Sequence, residues 1–267
     1  DSLRSKMNGK SYKIGQLTTP SLQELRIVAK EASVSHQGRL ALANVIGDVR
    51  RIHCEPSNSN AIFQVASQFN LLEMVDSDVT PEEGVTGYAF DQTQGPVCAI
   101  AAGAATVYRN YFAEVGGKIG QTFDNQIDCL SSVGDTLGNI NNALWLMSNG
   151  YALCSPEGLS KINQRLQSSD ESEKDKLRQH LRIGLHSEIE VTDAEAPQNH
   201  LISQAYCSAL PVGYSSSPQT EWAAFANLIL ESAYEATLCA AIMNCHNHGS
   251  NKLFLTKLGG GVFGNDL

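Results

Sequence analysis

The sequence lacks both an excess of basic residues and any long hydrophobic run. Its 267 residues include 19 Lys and Arg against 28 Asp and Glu, which gives a formal net charge of −9. Nucleic-acid-binding proteins usually present a basic patch, so this charge argues against such a partner. No run of about 18 apolar residues occurs, so no membrane-spanning helix is predicted. Residues 1–4 show no secretory signal, and we expect a cytoplasmic protein.

Common ligand-binding motifs are absent as well. The glycines near residue 260 are not followed by Gly-Lys-Ser/Thr, as in a P-loop, or by a βα unit, as in a dinucleotide-binding fold. The seven cysteines are scattered, odd in number and include no Cys-x-x-Cys pair. This pattern predicts reduced, buried thiols and no disulfide framework. Zinc binding near residues 239–248 is disfavoured, because the Cys and His residues there have no matched second pair.

The composition that remains is that of an ordinary globular protein, 42% hydrophobic and 18% charged. Strands and helices alternate after residue 180, which predicts an α/β fold with helices on both faces of a sheet. Apolar and alternating runs predict strands at 40–46, 61–66, 183–191, 201–212 and 253–258.

Helical periodicity and capping residues predict the helices. One begins after Ser21, with Glu24 in the capping-box position, and another is opened by Pro96. A third helix is capped by Ser155 and runs through Leu166. A long helix later in the chain contains Trp222 and continues to Ala240. Residues 121–127 lead into a mostly helical pattern that contains Leu144, Trp145 and Met147 and ends at Asn149-Gly150. Residues 168–179 fit a solvated helix or loop, and residues 1–19 an N-terminal arm. The polar loop 213–218 is a candidate pocket wall.

The most informative motif lies near the end of the chain. Gly259, Gly260 and Gly261 follow a predicted strand and free the backbone from Cβ restrictions. Their amides can converge on an anion such as a diphosphate, and Phe263 would cover it as an apolar lid. The alternative is a plain glycine-rich turn, and these residues alone leave both interpretations open.

A second unusual stretch covers residues 71–95, which are too numerous and too acidic for a simple connector. Its glycines and the aromatic residues Tyr88 and Phe90 favour an ordered functional loop. Asp91 stands five residues before Pro96 and therefore close to the positive end of a predicted helix. Asp91 is either a helix-dipole partner or a catalytic carboxylate. His186, inside a predicted strand, is more typical of a hydrogen-bonded sheet residue than of a catalytic base.

Three segments in this order resemble the macrodomain family, the ADP-ribose-binding fold. Residues 45–49 are similar to the family's Gly-Asp-Ile/Val segment, and residues 61–70 to its strand ending in Asn-Ala-Ala-Asn. Residues 255–265 are similar to the phosphate loop of poly(ADP-ribose) glycohydrolases, Gly-x-Gly-x-Phe-Gly. The glycohydrolase Gly-Gly-Gly and Gln-Glu-Glu motif is absent after Asn70, where the acidic loop stands instead. The overall pattern is most similar to a divergent bacterial branch that includes secreted effectors.

The resemblance implies one domain over residues 1–267, a macrodomain-like three-layer α/β/α fold with a central mixed sheet. Residues 115–180 would form a mostly helical insertion. It also implies a set of ADP-ribose contacts. Asp48 and Val49 would bind adenine, Asn70 the distal ribose, and Gln94 its hydroxyls or the leaving group. The diphosphate would be bound by Gly259, Gly260, Gly261, Val262, Phe263, Gly264 and Asn265.

The activity that the resemblance implies is removal of ADP-ribose from modified protein side chains, arginine among them. Glycosidic cleavage passes through an oxocarbenium-like state that requires a nearby negative charge and a positioned water. Glu73 and Asp91 bracket the acidic loop and are the catalytic candidates. The expected partners are ADP-ribose and ADP-ribosylated proteins, with no nucleic acid and no membrane.

No motif requires a cofactor, although the acidic side chains leave Mg²⁺ conceivable. A secreted effector would act in the cytosol of a host cell. Two alternatives to the hydrolase stay open. One is a reader that binds ADP-ribosylated protein without cleaving it, and the other is an enzyme that acts on free ADP-ribose derivatives.

Overall fold

The structure of the protein, a computed structural model, describes residues 2–33 and 38–265. Its strands are β1 (Ser2–Arg4), β2 (Ser11–Lys13), β3 (Gln16–Thr18), β4 (Ile62–Ala66), β5 (Glu114–Val115), β6 (Lys118–Ile119), β7 (Trp145–Ser148), β8 (Tyr151–Cys154), β9 (Gly184–Glu190), β10 (Leu201–Cys207) and β11 (Leu253–Phe254). Its α-helices are α1 (Leu22–Ser33), α2 (Val49–Cys54), α3 (Gln94–Ala101), α4 (Gly103–Tyr111), α5 (Ser131–Leu137), α6 (Pro156–Ser168), α7 (Glu171–Gln179) and α8 (Gln219–His248).

The centre of the fold is a mixed five-stranded sheet in the order β11, β4, β10, β9, β3. Strands β11 and β10 both run parallel to β4. Strand β9 is antiparallel to β10, and β3 is antiparallel to β9. The predicted α/β fold with a mixed sheet is therefore confirmed.

Helices cover both faces of this sheet. Successive residues of a strand point to opposite faces, and in β10 both sets of side chains contact helices. In β10, Ser203 and Cys207 contact α8. Gln204 and Tyr206 of the same strand bond to α3 and α4 on the other side. Helices α1, α6 and α7 pack on α8, and α2 packs on α3.

The predicted strands have different outcomes. Strands β4, β9 and β10 form within the predicted ranges, and β11 keeps only two residues of 253–258. The prediction of a strand at residues 40–46 is wrong. That segment has no regular secondary structure, and Leu42 and Ile46 are 92% and 97% exposed. A strand needs a neighbouring edge to pair with, and the outer edge of β4 is already filled by β11 and by the side chain of Gln94.

The helical interpretation of the segment that contains Leu144, Trp145 and Met147 is also wrong at its end. Strands β7 and β8 pair as an antiparallel hairpin. Asn149 and Gly150 form its two-residue turn, with φ of 45° and 83°. Asn-Gly between apolar runs is a strong hairpin signal, because such turns require positive φ at both positions. The segment 115–180 therefore carries this hairpin as well as α5, α6 and α7.

The capping signals gave correct helix starts. The Glu24 carboxylate accepts from the Ser21 amide at 2.7 Å, and the Ser155 hydroxyl accepts from the Gly158 amide at 3.0 Å. The helix predicted from Pro96 is divided at Ala102 into α3 and α4. The predicted N-terminal arm contributes a β1–β2 hairpin and the edge strand β3. Among the described residues, no helix has the length and apolar character needed to cross a membrane.

Candidate functional site

A cavity of about 260 Å³ opens where the three parallel strands end. Ala66 ends β4, Ala209 follows β10, and residues 256–259 follow β11; all of these line the cavity. In open α/β sheets, ligands bind outside the carboxyl ends of the strands. The position of the cavity is therefore that of a typical ligand site.

The cavity forms because the segments that follow neighbouring strands diverge at this edge of the sheet. Strand β4 leads into α3 on one face of the sheet, and its neighbour β10 leads into α8 on the other face. Where adjacent parallel strands leave in opposite directions, their loops separate and a crevice remains between them. Residues 66–68 lie on one side of this crevice, and Ala209 and Tyr214 on the other.

The glycine loop, residues 259–264, forms one wall. Gly259 and Gly264 have φ of 69° and 68°, a region that favours glycine. The loop is closed by a hydrogen bond from the Asn265 amide to the Gly259 carbonyl at 2.9 Å. Within residues 2–33 and 38–265, the amides of residues 261–263 donate to no acceptor. Because these residues line the cavity, their amides are available to an anion.

An aromatic cluster forms the next wall. Tyr151, Tyr214 and Phe263 all line the cavity, with ring centroids 5.3 to 5.8 Å apart. Phe263 was predicted as a lid, and Tyr214 belongs to the loop predicted as a pocket wall. Sequence reasoning missed Tyr151, which the Asn149-Gly150 turn would have placed on a hairpin.

Glu73 lies at the inner end of the cavity in a buried ion pair. Arg109 is fully buried, and its Nη2 donates to both Glu73 carboxylate oxygens at 3.2 and 3.3 Å. The guanidinium also donates from Nε to the Leu71 carbonyl at 3.0 Å and lies 3.8 Å from the ring centroid of Tyr206. Burial raises the pKa of Glu73 to about 7, and Arg109 limits the rise. The carboxylate is thus directed toward the core.

Asp91 is the carboxylate at the outer part of the cavity. It is half-buried, and its Oδ1 accepts from the Thr93 amide at 2.8 Å. Thr93 is the residue before α3, so Asp91 lies at the positive end of that helix, as predicted. The second carboxylate oxygen of Asp91 can accept a hydrogen bond from a ligand or a water.

Gln94 lines the cavity, but β4 already uses its amide group. Its Oε1 accepts from the Ala66 amide and its Nε2 donates to the Gln64 carbonyl, both at 2.8 Å. These bonds replace a neighbouring strand where β11 has ended. The amide of Gln94 therefore attaches α3 to the sheet, and the predicted contact with ribose hydroxyls would have to displace it.

Several predicted contacts do not line the cavity. Asp48 caps α2, where its Oδ1 accepts from the Arg50 amide at 2.8 Å, and Val49 begins that helix. Asn70 is fully buried, with Nδ2 donating to Gln126 Oε1 at 2.8 Å. The strand expected to lead to Asp48 does not form, and Asn70 lies four residues beyond β4 inside a polar network.

The remaining predictions divide as follows. Gly259, Gly261, Val262 and Phe263 line the cavity, whereas Gly260, Gly264 and Asn265 do not. The side chain of Asn265 anchors the end of the loop, because its Nδ2 donates to the Leu210 carbonyl at 2.8 Å. His186 is fully buried in β9, away from the cavity. Each cysteine is a free thiol. Within the described part of the chain, no three His, Cys, Asp or Glu side chains are grouped as metal ligands.

No protein-family model, curated protein or solved structure matches this chain. Inference about function therefore rests on the geometry of the cavity.

Proposed function

We propose that this cavity binds ADP-ribose and that the protein hydrolyses the glycosidic bond between ADP-ribose and a modified protein side chain. One observation carries the proposal: unbonded loop amides, an aromatic wall and an outward carboxylate converge on one cavity. Backbone amides can donate hydrogen bonds to a diphosphate, and aromatic rings can pack against a ribose or a base. The α/β fold, with helices on both faces of a mixed sheet, agrees with the resemblance of the sequence to the macrodomain family.

The size of the cavity limits how the ligand is accommodated. Small-molecule sites usually span roughly 300–1,000 Å³, and this cavity measures about 260 Å³. It encloses the diphosphate and the distal ribose and leaves the adenosine at the mouth. Val75 and Val262 line that mouth and are largely exposed, and Phe90 beside Asp91 is 90% exposed. These apolar side chains offer contacts to the base.

Asp91 is the residue to which we assign the chemical step. Its carboxylate stabilises positive charge that develops on the ribose and orients the attacking water. Water adds to the anomeric carbon, the bond to the protein side chain breaks, and the proton of the water passes to the leaving group. Contacts to the diphosphate hold the ribose in place and so lower the barrier. Glu73 positions this region through Arg109.

The second candidate is a reader that binds ADP-ribosylated protein without cleaving it. The observation that favours it is the ion pair of Glu73, whose carboxylate bonds to Arg109 inside the core. Only one of the two predicted catalytic carboxylates is then presented to the ligand. The two candidates share every binding contact and differ only in turnover.

Replacement of Asp91 by Asn tests the proposal. We expect D91N to lower the rate of ADP-ribose release by about 100-fold or more, since acid–base groups contribute 10²–10⁴-fold. The dissociation constant of ADP-ribose should change less than about threefold. Release is measured on proteins modified at arginine, glutamate or serine, and binding by calorimetry.

Asp78→Asn is the matched control, because Asp78 is an exposed carboxylate of the same loop that does not line the cavity. Its release rate should equal that of the wild type. Binding of ADP-ribose without release from any linkage would establish the reader. Absence of both binding and release would refute the proposal.

A further inference from the structure

Lys257 is the one basic residue among those that line the cavity within the described chain. The carboxylates there are Asp91 and Glu73, and Glu73 is already paired with Arg109. The protein carries a net charge of −9, so its overall field repels an anionic ligand. That field is screened beyond about 8 Å at physiological salt. A cation within this distance therefore attracts a bound anion more strongly than the distant acidic residues repel it.

The side chain of Lys257 lies directly over the glycine loop. A Cβ placed on Gly260 would be 2.6 Å from Cδ and 2.7 Å from Cε of Lys257. Such distances are shorter than carbon contacts allow, so a side chain at residue 260 would displace the lysine side chain. Gly260 does not have a positive φ. Its backbone alone therefore gives no reason for glycine at this position.

Gly261 provides the contrast. It also has no positive φ, and a Cβ placed there meets nothing within 4 Å. The lysine side chain thus occupies the space beside residue 260 and leaves the space beside residue 261 open.

We propose that Lys257 supplies the positive charge that pairs with the phosphate groups of the ligand, and that Gly260 keeps the lysine in this position. The assignment rests on the proposed function, because it names the phosphate end of the same site. The amides of residues 261–263 and the ammonium group then approach the anion from one wall of the cavity. An ammonium group binds phosphate as a compact point charge with three donors.

The experiment measures calorimetric binding of ADP-ribose, ADP, inorganic pyrophosphate and adenosine. The variants are K257Q, K257R, G260A, the double variant K257Q/G260A and, as a glycine control outside the cavity, G87A. We expect K257Q to weaken the three diphosphate probes about tenfold, the range of a hydrogen bond to a charged group. K257R should retain most of the affinity, and adenosine binding should not change.

The glycine variants test the position of the lysine. G260A should weaken the same probes severalfold, because the methyl group displaces the flexible lysine side chain. It should have no added effect once Lys257 is Gln. G87A should bind like the wild type, because Gly87 is exposed, has no positive φ and does not line the cavity. Equal effects of G260A in the presence and absence of the lysine would overturn the role of Gly260.

The two proposals fail in different ways. If the wild type binds ADP-ribose and K257Q binds it equally well, the phosphate role of Lys257 is refuted and the proposed function stands. If the wild type binds pyrophosphate through Lys257 but not ADP-ribose, the proposed function is refuted and the anion site stands. If it binds none of the diphosphates, both are refuted.

Discussion

Gly95 lets α3 begin directly against the end of β4. A Cβ at this position would lie 2.0 Å from the Ala66 carbonyl oxygen and 3.1 Å from the Glu73 Cγ. Neither atom can move easily, because Ala66 is in the sheet and Glu73 is held by Arg109. The close approach brings the start of α3 and Asp91 to the cavity.

Replacement of Gly95 by Ala should therefore destabilise the protein. We expect a loss of about 1–3 kcal/mol in the free energy of unfolding, the usual cost of overfilling a packed site. Urea denaturation measures it. Gly87→Ala is the control, because Gly87 lies in the same loop, has no positive φ and would meet nothing within 4 Å. Equal stability of the two variants would contradict the tight contact.

At the scale of elements, the β7–β8 hairpin connects the turn at Gly150 to the aromatic wall. Gly150 has a φ of 83°, and a Cβ there would lie 2.6 Å from Asn70 and Gln68 atoms. Tyr151 follows in β8, and its hydroxyl donates to the Met74 carbonyl at 2.8 Å. The turn thus places a cavity residue and supports the start of the acidic loop.

Gly150→Ala should cost stability through backbone strain and collision together. Gly117→Ala, in the turn between β5 and β6, has the strain alone, since its φ is 79° and its surroundings are open. We expect about 1–2 kcal/mol for Gly117→Ala, the cost of a left-handed residue with a Cβ, and a clearly larger loss for Gly150→Ala. Thermal or urea unfolding of both variants measures the difference. Losses of equal size would show that Asn70 and Gln68 adjust freely.

The same variant pair gives a second result in a binding assay. Gly150→Ala should weaken ligand binding, because Tyr151 moves with its strand, whereas Gly117→Ala should not. The Asn-Gly pair marks the hairpin, whereas the apolar residues before it also fit a helical period. Periodicity over a short apolar segment does not distinguish a strand from a helix, and the turn residues do.

At the scale of the whole molecule, a buried polar chain runs from the cavity along one face of the sheet to α2. It leads from Glu73 through Arg109 and Tyr206 to Gln204 and then to His53. His53 Nδ1 lies 2.7 Å from the Val49 carbonyl oxygen in α2. The chain links α4, β10 and α2 to the inner end of the cavity.

Buried histidines on this side of the sheet should make the protein sensitive to acid. Burial lowers the pKa of His53 to about 4 and that of His186 to about 3. Their pKa values in the unfolded chain are near 6.5. As the pH falls from 6.5 toward 4, the unfolded chain takes up protons that the folded protein does not, and stability is lost. Glu73, whose pKa is raised to about 7, acts in the opposite sense.

The contribution of His53 is isolated by His53→Gln. One proton changes the slope of stability against pH by about 1.4 kcal/mol per pH unit. The variant should therefore lose stability less steeply than the wild type between pH 6.5 and pH 4. Urea unfolding at several pH values gives both curves. Parallel curves would mean that His53 is protonated equally in the folded and unfolded states.

Local signals in the sequence determined the elements whose formation depends on near neighbours. The Ser21–Glu24 capping box, strand β4, the long helix α8 and the glycine loop with Phe263 were all identifiable, as was the position of Asp91 before α3. Each depends on hydrogen bonds or apolar periodicity within a few residues. These features are readable because the atoms that stabilise them lie close along the chain.

Tertiary structure alone decided which apolar runs are buried and where the polar side chains point. Residues 40–46 and 61–66 look alike as apolar runs, but only the second finds neighbouring strands, since β10 and β11 pair with it. The bonds of Glu73 to Arg109 and of Asn70 to Gln126 span 36 and 56 residues. Strand partners and buried polar pairs depend on which distant residues the fold brings together, and no local pattern contains that information.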